Sequence, residues 1–239
     1  MLRFLLAAAA AASGIVGQAA PAPDLPNRLE RRAETGSAEA RYHLGMLYNN
    51  GIVVAKDPRR AFALFRAAAL AGDPLGHYKV GCYHAGEFGP DIAEIDSAKA
   101  LRHKLVAAEA GYRLAQVDVA NLYTGRKDYA RALPWYEAAA RQGDPQALYN
   151  LSVFARDGLG MARTPAKLWA FFRLAHLMEK GAISAGAQRS LDRIWQGLDA
   201  AEREEARRIE TTWLTGSTAL TRQAFQGIAR AEEVAAAAR

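Results

Sequence analysis

Five glycines constrain this chain more than any other feature. Gly36, Gly72, Gly111, Gly143 and Gly181 each follow a helix-favouring run, in most cases rich in alanine, at spacings of 36, 39, 32 and 38 residues. A glycine just past a helix adopts positive φ without a Cβ clash and so ends it. A second landmark keeps the same irregular beat: YHLGMLY at 42, YKVGCYH at 78, VDVANLY at 117 and YNLSVFA at 149. Their central small residues, Gly45, Gly81, Ala120 and Ser152, are separated by 36, 39 and 32 residues. Two independent landmarks sharing one irregular period define a repeat rather than a shared composition.

The unit is a helix pair. Helix A presents apolar residues at helical spacing with a small residue where a neighbouring backbone comes close. Helix B, expected over 58–71, 97–110, 128–142 and 165–180, carries an alanine pair near its end: Ala68-Ala69, Ala107-Ala108 and Ala139-Ala140. Pro74 and Pro145 open the helix A that follows, a position where the missing N–H costs nothing. One such pair cannot bury its apolar face alone, so successive pairs must stack, with the alanines letting helix B approach the next helix A. The expected fold is all-α, a right-handed α-solenoid of about four helix pairs, with no sheet.

The stretch ARYHLGMLYNNGIVVAKDPRRAFALFRAAALAGDP, residues 40–74, resembles the Sel1-like repeat family, a relative of tetratricopeptide repeats. The second and fourth units match more loosely, and the third has the shorter inter-helix loop of a tetratricopeptide unit. The fourth has Leu177-Met178 where an alanine pair is expected, which leaves its helix B register open. RLERRAETGSAEA ahead of the first unit looks like half a unit, so the repeat array is placed at 28–182. Beyond it, Leu191, Ile194, Trp195 and Leu198, then Ala206, Ile209 and Trp213, mark two capping helices over 183–215. In the tail, 216–239, alanine favours helix while few large apolar residues exist to dock it.

Residues 1–19 read as a secretory signal peptide: Arg3, an uncharged apolar run from Phe4 to Val16, then Gly17 and Ala19 as the small residues before the cleavage point. The run is too short for a membrane span, and the protein is expected to be periplasmic or secreted. PAPDLPN is read as an extended linker, 20–27, because of its three prolines. The chain has a formal charge of +6; without Arg3, 30 Lys and Arg face 25 Asp and Glu. Those cations are scattered near acids and no basic tract is interleaved with aromatics, which argues against nucleic acid as the partner. The single cysteine, Cys82, excludes an internal disulfide.

Chemistry is sparse. His77, Cys82 and His84 lie close in sequence, but on a helix 82 points some 160° away from 84 at about 100° per residue. No CxxC, HExxH or acidic cluster accompanies them, so they read as buried or solvated helix residues, with no metal and no cofactor. Ser152 and Ser190 have no paired histidine or nucleophile elbow. Asp57 reads as the N-cap of a helix opened by Pro58. No catalytic residue is assigned. Some cysteine-rich secreted Sel1-like proteins are associated with penicillin binding or hydrolysis, yet they carry a Cys pair in each repeat and this chain does not.

The resemblance implies a scaffold for another protein or peptide, with helix A lining a concave face; a structural or assembly component of the cell envelope is the alternative. Counting three before, one after and four after each central small residue gives Tyr42, Met46 and Asn49; Tyr78, Cys82 and Ala85; Val117, Asn121 and Thr124; Tyr149, Val153 and Arg156. Of these, Tyr42, Met46, Asn49, Tyr78, Asn121, Thr124, Tyr149 and Arg156 are the candidate partner-binding residues. Tyr and Arg dominate interface energetics, and Asn both donates to and accepts from an extended backbone.

Overall fold

In a computed structural model, which describes residues 21–237, every regular element is a helix. Thirteen helices follow one another: α1 Leu25–Glu34, α2 Ala38–Asn50, α3 Pro58–Leu70, α4 Pro74–His84, α5 Ser97–Glu109, α6 Arg113–Gly125 and α7 Tyr129–Arg141. Then come α8 Pro145–Asp157, α9 Pro165–Lys180, α10 Ala185–Gly197, α11 Ala200–Thr212, α12 Ala219–Gln226 and α13 Ile228–Ala236.

Local chemistry writes the boundaries. The five periodic glycines all have φ between 66° and 99°, where a Cβ would be strained. Asp57 caps α3 by accepting from the Arg60 N–H at 2.9 Å, and Asp73, Asp96, Asp128 and Asp144 cap α4, α5, α7 and α8 in the same way. Each carboxylate satisfies amides that have no partner inside the helix. At the first helix the expected linker is shorter than its prolines suggested: α1 begins at Leu25 and contains Pro26 in its first turn. Proline is disfavoured inside a helix but costs nothing there, because that N–H has no intrahelical acceptor.

The division of the chain into two compact units falls inside α6: residues 21–115 with 219–237 form one, and 116–218 the other. In the first unit, α1 to α5 stack in order through fully buried Leu25, Leu29, Phe65 and Tyr83. Here the alanine pair acts as the repeat requires. A Cβ on Gly76 of α4 would lie 2.8 Å from both the Ala68 Cβ and the Ala69 backbone nitrogen of α3. In the second unit, α8 packs on α9 through Leu148, Leu151, Phe171 and Leu174. Trp195 of α10 and Trp213 beyond α11 close on Trp169 and Phe171 of α9, each at 4.7 Å between ring centres.

The register of the fourth helix B follows from the same geometry. With Pro165 aligned to Pro58, Ala175-His176 occupies the place of Ala68-Ala69. Helix α9 has 16 residues where α3, α5 and α7 have 13, so Leu177 and Met178 belong to a continuation of the helix ahead of Gly181.

Candidate functional site

Four of the helix A residues lie in the first unit. Tyr42 is 6 % exposed, its ring 5.1 Å from His43 and 6.0 Å from Phe65. Asn49 is buried; its Oδ1 accepts from the Tyr83 hydroxyl at 2.9 Å and its amide donates to Asn50. Tyr78 meets Tyr112 edge-on at 4.9 Å, with the Lys104 ammonium 5.7 Å from its ring centre. Met46 faces a cavity shared with Tyr42, Ala224, Gly227, Ile228 and Ala231.

That cavity exists because the chain's own C-terminal segment lies against α1 and α2. Ala231 and Val234 of α13 are buried among Leu25, Leu29, Leu44 and Leu47, with Ile228 and Ala235 packed beside them. Glu39 fixes the segment: its carboxylate accepts from Arg230 Nε at 2.7 Å, from Arg230 Nη2 at 3.1 Å and from Gln223 at 2.5 Å. Burial would raise the Glu39 carboxyl, but His43, Arg230 and Gln223 outweigh it and hold the pKa at about 2. Glu232, midway along α13, accepts from the Ala22 amide and from Arg28, and Thr221 bonds to Arg113 and Gly111 at the start of α12. The tail, open to either form in the sequence, is two docked helices.

The other four candidates belong to the second unit, where the helix A surface of α8 is open. Tyr149 is 49 % exposed, with its ring 6.4 Å from Phe172. Together with Val153, Leu168, Phe172 and Ile194 it borders a cleft of about 330 Å³, and Arg156 and Arg193 stand at its edge. Arg156 is exposed and donates twice to Asp157, both bonds at 2.8 Å. On α6, Asn121 is exposed with its oxygen accepting from Tyr136 at 2.7 Å, and Thr124 lies 3.4 Å from the same hydroxyl. An apolar floor, one half-exposed tyrosine and two guanidinium groups suit an apolar segment carrying an acidic side chain.

The serines on these helices are bound to backbone: Ser152 donates to the Tyr149 carbonyl at 2.6 Å and Ser190 to that of Gly186 at 3.4 Å. A different group does assemble in the first unit. His77 and His84 of α4 face a third imidazole, His103 of α5, whose Nδ1 is 2.9 Å from that of His77. The sequence placed His77 and His84 on one helix face but gave no sign of His103, which belongs to the next helix and is brought in only by stacking.

The first three helix pairs are matched by the family model described as Sel1 repeat, over residues 38–73, 74–112 and 108–144. Among solved structures the chain resembles a Sel1 repeat protein from Oxalobacter formigenes, at 24% identity over 80% of this chain and 79% of that one, with a TM-score of 0.59. Among curated proteins it is 32% identical over 107 residues to an uncharacterised protein of Neisseria meningitidis serogroup B, covering 45% of this chain and 22% of that protein. It is 23% identical over 155 residues, 62% of this chain, to chitin synthase regulatory factor 3 of Schizosaccharomyces pombe, of whose length the match spans 17%. Proteins built of Sel1 repeats generally serve as scaffolds for other proteins, and no helix among the described residues is long and apolar enough to cross a membrane. The matched residues end at 144, one pair short of the helices that follow in the same pattern. The fold is therefore an α-solenoid of Sel1-like helix pairs, and residues 38–144 of this chain belong to the Sel1 repeat family.

Proposed function

We propose that this protein is a non-enzymatic scaffold, exported to the periplasm or secreted, that holds a segment of a partner protein on the helix A face of α8. The observation that carries this reading is a contrast between equivalent positions. Tyr42, Met46 and Phe65 recur 107 residues later as Tyr149, Val153 and Phe172. In the first unit α12 and α13 lie against this surface, supplying Ala224, Gly227, Ile228 and Ala231 around Met46. In the second unit the same positions border an open cleft. A helix A face that accepts a helical segment with small and aliphatic side chains in one unit supports the same kind of recognition in the other. Arg156 and Arg193 add a preference for a carboxylate.

Crosslinking in cells followed by purification tests the site. The native chain is expected to retain a partner that Tyr149→Ala with Arg156→Ala loses, while the thermal melt stays close to native because Tyr149 is half exposed and Arg156 is exposed and pairs with its chain neighbour Asp157. Equal recovery by the double variant overturns the α8 site. For export, residues 1–30 fused to a reporter active only outside the cytoplasm should give signal; an inactive reporter removes the periplasmic part of the reading and leaves the docking site standing.

A further inference from the structure

We infer that His77, His84 and His103 form a binding site for one divalent transition-metal ion of the imidazole-preferring class. The three rings border a cavity of about 500 Å³ in the first unit, walled by Phe62, Val80 and the loop residues Ile92 to Glu94. His77 and His84 are two turns apart on one face of α4, and His103 approaches from α5 with ring centres at 5.0 Å and 6.0 Å from them. All three rings are partly accessible, so an ion has a route in.

The donor chemistry fits. The two Nδ1 atoms of His77 and His103 are 2.9 Å apart. Two nitrogens bound to one tetrahedral ion at about 2.0–2.1 Å lie roughly 3.3 Å from each other, so a few tenths of an ångström of opening suffices. One of the pair now donates its Nδ1–H to the other. On coordination that ring takes the tautomer with its proton on Nε2, both rings bind as neutral imidazoles, and no proton is released. His84 keeps a free lone pair: its Nδ1 is 2.8 Å from the Glu94 carbonyl, which can only accept, so the proton is on Nδ1 and Nε2 can ligate. Its nitrogens lie beyond 4.8 Å from at least one of the other two, so this ring must swing inward to become the third ligand of a site that the His77–His103 pair binds first. A ligating imidazole anchored by a backbone carbonyl is the usual outer-shell arrangement of such sites.

Neutral rings are also what this environment favours. Burial, together with His77, His84 and Arg102, holds the His103 pKa at about 4. The charged groups around the cavity are Arg66, Lys99 and the Glu94 carboxylate, which accepts from Lys99. The cations oppose a bound ion and the carboxylate favours it, which leaves imidazole nitrogen as the source of selectivity. Zn²⁺, Co²⁺, Ni²⁺ and Cu²⁺ prefer that donor, whereas Mg²⁺ and Ca²⁺ prefer oxygen.

The test is calorimetric titration of the full chain, stripped with chelator and free of any histidine tag, with Zn²⁺, alongside the visible absorption spectrum with Co²⁺. One Zn²⁺ per chain and a Co²⁺ ligand-field band are expected, with no response to Mg²⁺. His77→Gln and His103→Gln should each lose binding, and His84→Gln should weaken it by about tenfold or more. His176→Gln, outside the cluster, should bind as the native chain does, and the helical circular dichroism of each variant shows that it is folded. No binding by the native chain, or unchanged binding in folded His77→Gln and His103→Gln, overturns the site; unchanged binding in His84→Gln removes its third ligand.

Discussion

The repeat depends most tightly on space at the centre of helix A, and Gly45→Leu measures it. A Cβ on Gly45 would lie 2.7 Å from Phe65 Cε1 and 2.9 Å from Cδ1. An ordinary carbon contact is about 3.5 Å, so even one methyl group asks the ring to retreat by roughly 0.8 Å. Phe65 has little room to do so, because it is fully buried and has Tyr42 and Tyr83 at 6.0 Å and 6.1 Å. Overpacking of this kind costs about 1–3 kcal/mol, against which replacing a helical glycine returns at most ~1 kcal/mol. For alanine the two nearly cancel; leucine adds three more carbons to the clash and should reach the top of the range. For a chain of this size ~3 kcal/mol corresponds to a fall in Tm of about 6–12 °C, read by circular dichroism. Gly125→Ala is the control: it ends α6 with nothing within 4 Å of its Cβ position and should melt at or slightly above native. If Gly45→Leu also melts at the native temperature, position 45 faces solvent and the helix A register is wrong.

Glu39→Gln replaces a carboxylate that pairs with Nε and Nη2 of Arg230 by a neutral amide. The loss, about 1–3 kcal/mol for charge-assisted bonds, should fall on tail docking, so amide exchange in α12 and α13 should accelerate while α8 is unaffected. Acid should loosen the first unit in two windows. His103 has its pKa lowered from 6.5 to about 4 in the folded state, so its neutral form contributes fully above 6.5 and the contribution is lost as pH falls towards 4. Glu39 is lowered from 4.5 to about 2, so its stabilisation is present above 4.5 and is lost between 4.5 and 2. A pH series of melts on the native chain, His103→Gln and Glu39→Gln should show each variant flatter in its own window; identical profiles would contradict the assignment.

What could be read from sequence was whatever the chain states locally. Helix ends are written in glycines that need positive φ and in Asp57 and Pro58, which satisfy amides within one turn. Small residues at 45, 81, 120 and 152 report close approach because any larger residue would show as a broken pattern. Even the fourth helix B obeyed this logic: the mismatch at Leu177-Met178 is an added turn, and Ala175 holds the place that Ala68 has in the first unit. Contacts made across the stack were not legible. Nothing in ALTRQAFQ or IARAEEVAA says that Arg230 will reach Glu39, 191 positions away. His103 is likewise an unremarkable helix residue until α5 is laid against α4. In both cases the signal is a spatial neighbour, which one sequence does not contain.

The eight helix A residues show why a repeat pattern separates packing from recognition. Counting from a central small residue fixes which side of the helix a residue occupies, since each repeat places that small residue against helix B. It does not fix what lies over the residue. Tyr42 and Tyr149 hold the same repeat position; the first is buried beside Phe65 and His43, and the second is half exposed over Phe172. Around α2, aliphatic side chains of α13 share the surface; beside α8, the equivalent surface meets Arg193 and Ile194 of α10 and stays open. Binding energy is available only where apolar area is still exposed to lose, so the open cleft at α8 can recruit a partner directly. At α2 a partner must first displace a segment anchored at Glu39, and its apparent affinity falls by the equilibrium constant for releasing that segment. Two helix A faces built by one pattern thus present a ready site and a guarded one, and the Glu39–Arg230 pair sets the difference between them.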